Sequence, residues 1–171
     1  AGGVRANILA DTNITYATAY SLLPFANTLF EIDMYGSEIK AVLEDAVDSA
    51  LGGSTGAFPT AYGIRFDVVG TEVKGNRVQN LEIKDKSTGA WSDLESAEMY
   101  VIVTNSFTGG GQDGYVTFKT VQDERGKGID TGLDYAESFI TFVKNEEAAG
   151  RSVTKVAPDE HPIKSYTAPN P

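Results

Sequence analysis

The spacing of the apolar residues changes abruptly near residue 36, and this change constrains the fold more than any other feature. Residues 28–34 (TLFEIDM) alternate, with Phe30, Ile32 and Met34 on one side, which is the period of a strand with one covered face. Residues 37–50 (SEIKAVLEDAVDSA) then put Ile39, Val42, Leu43, Ala46 and Val47 on one stripe, the period of an amphipathic helix. Ser37 can cap that helix and Gly52-Gly53 can end it.

The rest of the chain mixes the same two signals. Residues 15–22 read as a short helix, capped by Thr15 and stopped by Pro24. Residues 63–69 and 78–84 read as strands around a Gly75-Asn76 turn. Residues 99–104 (MYVIVT) are nearly continuously apolar, so a strand buried on both faces is expected. A glycine-rich loop, 105–115, follows it. Residues 134–145 predict a second amphipathic helix with Tyr135, Phe139, Phe142 and Val143 inward. After Ala149 the chain turns polar and Pro-rich (Pro158, Pro162, Pro169, Pro171), as an extended surface tail would. Helices and strands do not alternate strictly. The expected class is therefore α+β, a mixed or antiparallel sheet packed with helices, with a domain over 1–149 and a tail over 150–171. The length, 171 residues, suits that division, and no internal repeat is visible.

Charge and inventory narrow the chemistry. Lys and Arg total 14 against 24 Asp and Glu, a net charge of −10. A nucleic-acid polymer or an anionic membrane is repelled on average, although a locally positive pocket can still take a small anion. With no cysteine there is no disulfide, thiolate nucleophile or Cys-based zinc site. The one histidine, His161, lies in the Pro-rich segment, so neither a hydrolytic metal centre nor a Ser-His-Asp triad is expected in this chain. No apolar run nears the roughly 18 residues that cross a bilayer.

Four short strings could carry function. Gly2-Gly3-Val4-Arg5 pairs a backbone that can approach a ligand with a guanidinium that can fork onto phosphate. Leu23-Pro24-Phe25 leaves Phe25 as either a core plug or a ring presented by a Pro-stiffened turn. Gly56-Ala57-Phe58-Pro59 reads as turn chemistry leading into a strand. The strongest string is Asn105-Ser106-Phe107-Thr108-Gly109-Gly110-Gly111-Gln112-Asp113-Gly114-Tyr115. Its three consecutive glycines suit a loop passing close to a partner rather than packing. Phe107 is either tucked inward or a platform for a flat ligand, and Asp113 can accept hydrogen bonds from a diol. An aromatic ring, a carboxylate and an Arg together suit a nucleoside phosphate.

Taken in order, GGVR, PFANTL, GAFP with GIRF, YVIVTNSFTGGGQDGY and DTGLDYAESFITFVK resemble the C-terminal domain of the 5'-nucleotidase and UDP-sugar hydrolase family over roughly residues 1–145. Gln112 stands where Gly or Arg is usual. The resemblance implies that this chain is the substrate-binding part of a metal-dependent enzyme that hydrolyses nucleotide phosphoesters. Phe25 and Phe107 would sandwich the base, Asp113 hold the ribose hydroxyls, Arg5 contact the phosphate side and Gly56 line the same site. No residue here would be catalytic or bind metal. Two divalent ions such as Zn or Mn would belong to an N-terminal metallophosphoesterase portion, the expected partner. The chain opens at Ala1 rather than Met, and the family's pattern would extend before that residue. Action on UDP-sugars or 2',3'-cyclic nucleotides, or a non-catalytic nucleoside-binding role, are the alternatives, and a periplasmic or extracellular location is implied.

Overall fold

The computed structural model describes residues 2–169; Ala1, where the sequence opens, and Asn170 and Pro171, which end the Pro-rich segment, lie outside the described residues. Helix α1 (Tyr16–Leu22) begins at Thr15, whose hydroxyl accepts from the Thr18 N–H. Strand β1 (Thr28–Tyr35) then runs directly into α2 (Gly36–Leu51), as the change of period predicts. All five stripe residues of α2 are buried.

Ser37 is not the cap of α2. The Gly36 and Ser37 N–H groups donate to the backbone carbonyls of Glu98 and Ser96, both at 3.0 Å. Glu38 reaches back to accept from the Tyr35 N–H at 2.8 Å. The helix start is therefore satisfied by a distant loop and by its own third residue, with no need of the Ser37 hydroxyl.

Strands β2 (Ile64–Val69) and β3 (Val78–Lys84) pair antiparallel, as expected. Strand β4 (Trp91–Asp93) adds to β3. Strand β5 (Met99–Asn105) pairs antiparallel with β1. A one-turn helix, α3 (Ser106–Gly109), and then α4 (Val116–Arg125) follow. Strand β6 (Ile129–Asp134) pairs with the other side of β1, α5 (Tyr135–Ala148) comes next, and β7 (Ile163–Thr167) closes the order. The result is two sheets, β5-β1-β6 and β4-β3-β2-β7. Helix α2 packs on β1, β3 and α4, and the core joins Ile32 and Met34 of β1 to Phe66, Val68 and Val78 of the second sheet.

Two acids of α2 are as buried as its apolar stripe. Glu44 accepts from the Val78 and Gly75 N–H groups, at 2.7 and 2.9 Å, and so pins the β2–β3 connection. Asp45 accepts from both the N–H and the hydroxyl of Thr117, at 2.8 and 2.6 Å, and so caps α4 from a neighbouring helix.

Four expectations are corrected. Strand β5 is not buried on both faces: it is the edge of its sheet, and Met99, Val101 and Val103 lie 47–64% exposed on one side. The segment 105–115 is not all loop, and one glycine does serve packing, because a Cβ on Gly109 would come within 2.9 Å of the Phe30 ring. In α5, Ala136 and Ile140 are the buried residues, while Phe142 is turned outward. The boundary near Ala149 coincides with the end of α5, but 150–171 is not merely a surface tail. Strand β7 lies parallel to β2 and completes the second sheet, and charged side chains fasten it: Lys164 reaches Glu82 and the Asn80 carbonyl at 2.6 Å, and Lys84 pairs with Glu160.

Candidate functional site

Arg5, Phe25, Gly56, Phe107 and Asp113, which come from four separate strings of the sequence, all line one cleft of about 480 Å³. Each is positioned by backbone rather than by chance contact. The Arg5 N–H donates to the Leu22 carbonyl at 2.9 Å, fastening the first segment to the end of α1. The same helix end, turned by Pro24, presents Phe25. The Arg5 guanidinium lies 5.3 Å from the centre of the Phe25 ring, a cation–π contact that keeps cation and ring together.

Gly56 meets the first segment directly. The Gly2 N–H donates to the Gly56 carbonyl at 2.7 Å, and a Cβ on Gly56 would sit 3.0 Å from the Gly2 Cα. The two backbones touch, which explains glycine in both strings.

Phe107 rides on α3, held by Asn105: its side-chain oxygen accepts from the Thr108 N–H at 2.9 Å and its amide donates to the Thr108 hydroxyl at 3.0 Å. The Thr28 N–H donates to the Ser106 hydroxyl at 3.1 Å, tying this turn to the start of β1. Asp113 occupies the left-handed region, φ 54°, which aspartate tolerates better than most residues. Its carbonyl accepts from the Ser49 hydroxyl at 3.3 Å. The Tyr115 hydroxyl donates to the Ala57 carbonyl at 2.8 Å, so the two rim loops are bonded to each other. Burial, then the Asp113 charge, push the Tyr115 phenol up to about 12, and it stays a neutral donor.

The two phenylalanines are 42% and 46% exposed, which removes the core-plug reading of Phe25 and the tucked-inward reading of Phe107. Exposed rings on opposite strings, a guanidinium and a carboxylate around one concavity can hold a flat, polar, anionic molecule. Among the described residues no group of three or more His, Cys, Asp or Glu could hold a metal, and His161 is exposed. The described residues therefore do not fit a metal centre.

Asn27 and Tyr135 are among the wall residues that escape the sequence reading. Asn27 lines the cleft two positions after Phe25, and its carbonyl accepts from the Tyr135 N–H at 3.1 Å. Tyr135 also lines the cleft, and its hydroxyl is buried without a partner among the described residues. For Asn27 no local signal exists, because it lies in the irregular stretch between a bend at Phe25 and the start of β1. For Tyr135 no local signal exists, because helical spacing makes it look like core.

The family described as 5'-nucleotidase, C-terminal domain, matches residues 1–120. The NAD 5'-nucleotidase of Haemophilus influenzae is 47% identical over 147 residues, 84% of this chain and 24% of that protein. A probable 5'-nucleotidase of Treponema pallidum is 44% identical over 146 residues, with the same coverage of 84% and 24%. The solved structure of the Haemophilus influenzae NAD nucleotidase superposes with a TM-score of 0.84 at 37% identity, covering 98% of this chain and 29% of that one. That of a 5'-nucleotidase precursor from Thermus thermophilus gives 0.83 at 32% identity, covering 98% and 31%. The chain thus spans about a quarter of the length of these curated relatives.

Proposed function

Because the chain belongs to the 5'-nucleotidase family, as a C-terminal domain, we propose that it is the substrate-binding part of an enzyme that hydrolyses nucleotide phosphoesters to nucleoside and phosphate. The base lies between Phe25 and Phe107, the ribose hydroxyls donate to Asp113, and Arg5 draws the phosphate end. Gly56 lines the same site. Two rings clamp any flat base with little selectivity, while a carboxylate accepting two hydroxyls gives charge-assisted, oriented bonds. Arg5 supplies local positive charge that the net −10 would otherwise oppose.

What carries this reading is that two half-exposed phenylalanines, Arg5 and Asp113 converge on one cleft of about 480 Å³, within the range of small-ligand sites. The contribution of this chain is positioning. The divalent metals, Zn or Mn, belong in the reading to an N-terminal metallophosphoesterase portion, and the chain alone is inactive. A periplasmic or extracellular setting goes with the family relatives, one of which is a 5'-nucleotidase precursor. No helix among the described residues is long and apolar enough to cross a membrane.

The test joins this chain with the metal-bearing portion and Mn²⁺ or Zn²⁺ and follows phosphate release from AMP, a UDP-sugar and a 2',3'-cyclic nucleotide. Turnover by the pair, with KM raised by Phe107→Ala, is expected. A correctly folded pair that binds nucleosides but turns over none of the three would leave a non-catalytic binding module.

A further inference from the structure

We propose that Asp113-Gly114 is a site of covalent self-modification. The Gly114 nitrogen closes a succinimide ring on the Asp113 carboxyl, water reopens the ring as isoaspartate, and the cleft loses its ligand. That loss of binding rests on the nucleoside reading above; the modification itself does not.

Such ring closure is quickest at an aspartate followed by glycine, because a residue without a side chain leaves its amide nitrogen unshielded. The sequence holds this pair once, and it holds no Asn-Gly pair. Two unrelated demands keep it there. Gly114 has φ 85°, and a Cβ on it would lie 2.6 Å from the Ser49 Cβ, so no bulkier, shielding residue fits. Asp113 is the only acid lining the cleft among the described residues, so the ligand's hydroxyls have no other carboxylate. Neither member can be exchanged for a slower one without loss of packing or of binding.

Both reacting groups are free. Asp113 is exposed, and among the described residues neither its carboxylate nor the Gly114 N–H makes a hydrogen bond. The bonds that hold the turn are long: 3.3 Å from the Ser49 hydroxyl to the Asp113 carbonyl, and 3.4 Å from the Gln112 N–H to the Phe107 carbonyl. Asp113 itself sits at φ 54°, a conformation strained for any residue with a Cβ, so turning out of it toward the ring releases strain. Asp48, followed by Ser49, shows the opposite condition. Its carboxylate is held by Arg77 and Lys74, and the next N–H lies inside α2.

In the first step the Gly114 nitrogen attacks the Asp113 carboxyl carbon. A C–N bond forms, the N–H proton passes to solvent, and the carboxyl hydroxyl departs as water. Hydrolysis then adds one water and breaks the bond from the ring nitrogen to one of its two carbonyl carbons. Breaking it at the former carboxyl restores aspartate. Breaking it at the backbone carbonyl leaves the chain running through the Asp113 side chain. No oxidant is needed, and neither mass nor charge changes overall. The isomer's main chain is one atom longer and its carboxylate one atom closer to that chain, so the carboxylate leaves the position from which it faces the ligand. A bound ligand that donates to Asp113 holds the carboxylate away from the nitrogen, and the occupied cleft is therefore protected.

The experiment stores this chain for weeks at physiological temperature in neutral buffer, with and without saturating adenosine. Isoaspartate is counted by labelling with an isoaspartyl methyltransferase and located by fragmenting the peptides in a mass spectrometer. It is expected at position 113 before any other aspartate, Asp48 included, and by way of a species lighter by one water. Adenosine should slow it. The number of adenosine sites found by calorimetry should fall in step, one site lost for each isomer formed. Asp113→Glu, whose ring would be larger and slower to close, should stay unlabelled at that position. No isoaspartate at 113, or its appearance first elsewhere, in a chain whose fresh samples bind adenosine overturns the proposal and leaves the nucleoside reading standing. Isoaspartate at 113 that leaves the number of sites unchanged overturns the loss of binding. A fresh chain that binds no adenosine, or binds it equally well as Asp113→Ala, overturns the nucleoside reading, and the labelling alone then decides the modification.

Discussion

Phe107 shows how one exposed ring can be separated from the fold that carries it. Nearly half its surface faces solvent, and the turn that carries it is held by the Asn105 and Ser106 side chains rather than by its ring. Phe107→Ala should therefore weaken nucleoside binding by about 1–3 kcal/mol, the worth of a base on an aromatic ring, and leave the melting temperature almost unchanged. Calorimetry and thermal unfolding of the same samples check both halves. Tyr135 is the opposite case. Its hydroxyl is buried with no partner among the described residues, so Tyr135→Phe removes an unsatisfied group and should raise stability by up to about 1 kcal/mol. Urea denaturation measures it, and a loss of stability would show that the hydroxyl has a partner. The same two residues mark what was legible. Phe107 could be found because a large ring in a polar, glycine-rich string has no bland role. Tyr135 could not, because its spacing in α5 is that of a core residue and only the tertiary fold brings the start of α5 to the cleft.

Among the elements, those with local signals were readable and those satisfied from a distance were not. Helix α1 carries its own Thr15 cap, and α2 its own stripe. Helix α4 begins without any cap of its own, since Asp45 on α2 supplies it, and a reader of residues 116–125 alone has nothing to find. Strand β5 was visible but its surroundings were not: an apolar run looks alike whether a layer covers it or not. Strand β7 was hidden by its polarity, because only Ile163 packs on the core and the rest is held by its parallel pairing with β2 and by ionic contacts. Those contacts make it sensitive to acid. Hydrogen bonds from Arg65 and Lys164 hold the Glu82 carboxyl below its ordinary range. Burial works to raise Asp67, but the hydrogen bonds from Asn80 and Ser165 outweigh it and its value is lowered. A lowered folded value means that the stabilisation is complete above the unfolded carboxylate range, near pH 4 to 4.5, and is lost as pH falls through the folded value. Amide protection in 163–167 should therefore fall on acidification from about pH 5 to about pH 3, before that of α2. Hydrogen exchange with Glu82→Gln, which should flatten the dependence, is the check.

For the whole molecule, α2 is the member that ties the parts together. It touches both sheets, and its Glu44 holds the β2–β3 connection through two N–H groups in a site 3% exposed. Glu44→Ala leaves both donors buried without an acceptor and should cost about 2–4 kcal/mol in chemical denaturation. A change below about 0.5 kcal/mol would show that water replaces the carboxylate. The cleft itself is assembled from strings spread between Arg5 and Asp113, so any loss of this central packing should reach ligand binding as well.

The bare edge and uncovered apolar side of β5 govern how these molecules behave toward one another. The edge backbone of β5 can template strand pairing between copies, Met99, Val101 and Val103 add an apolar side, and a net charge of −10 opposes the approach. Raising salt from about 20 to about 500 mM shortens the screening length to a few ångströms and should bring on reversible association in light scattering. Val101→Lys should abolish it at every salt concentration.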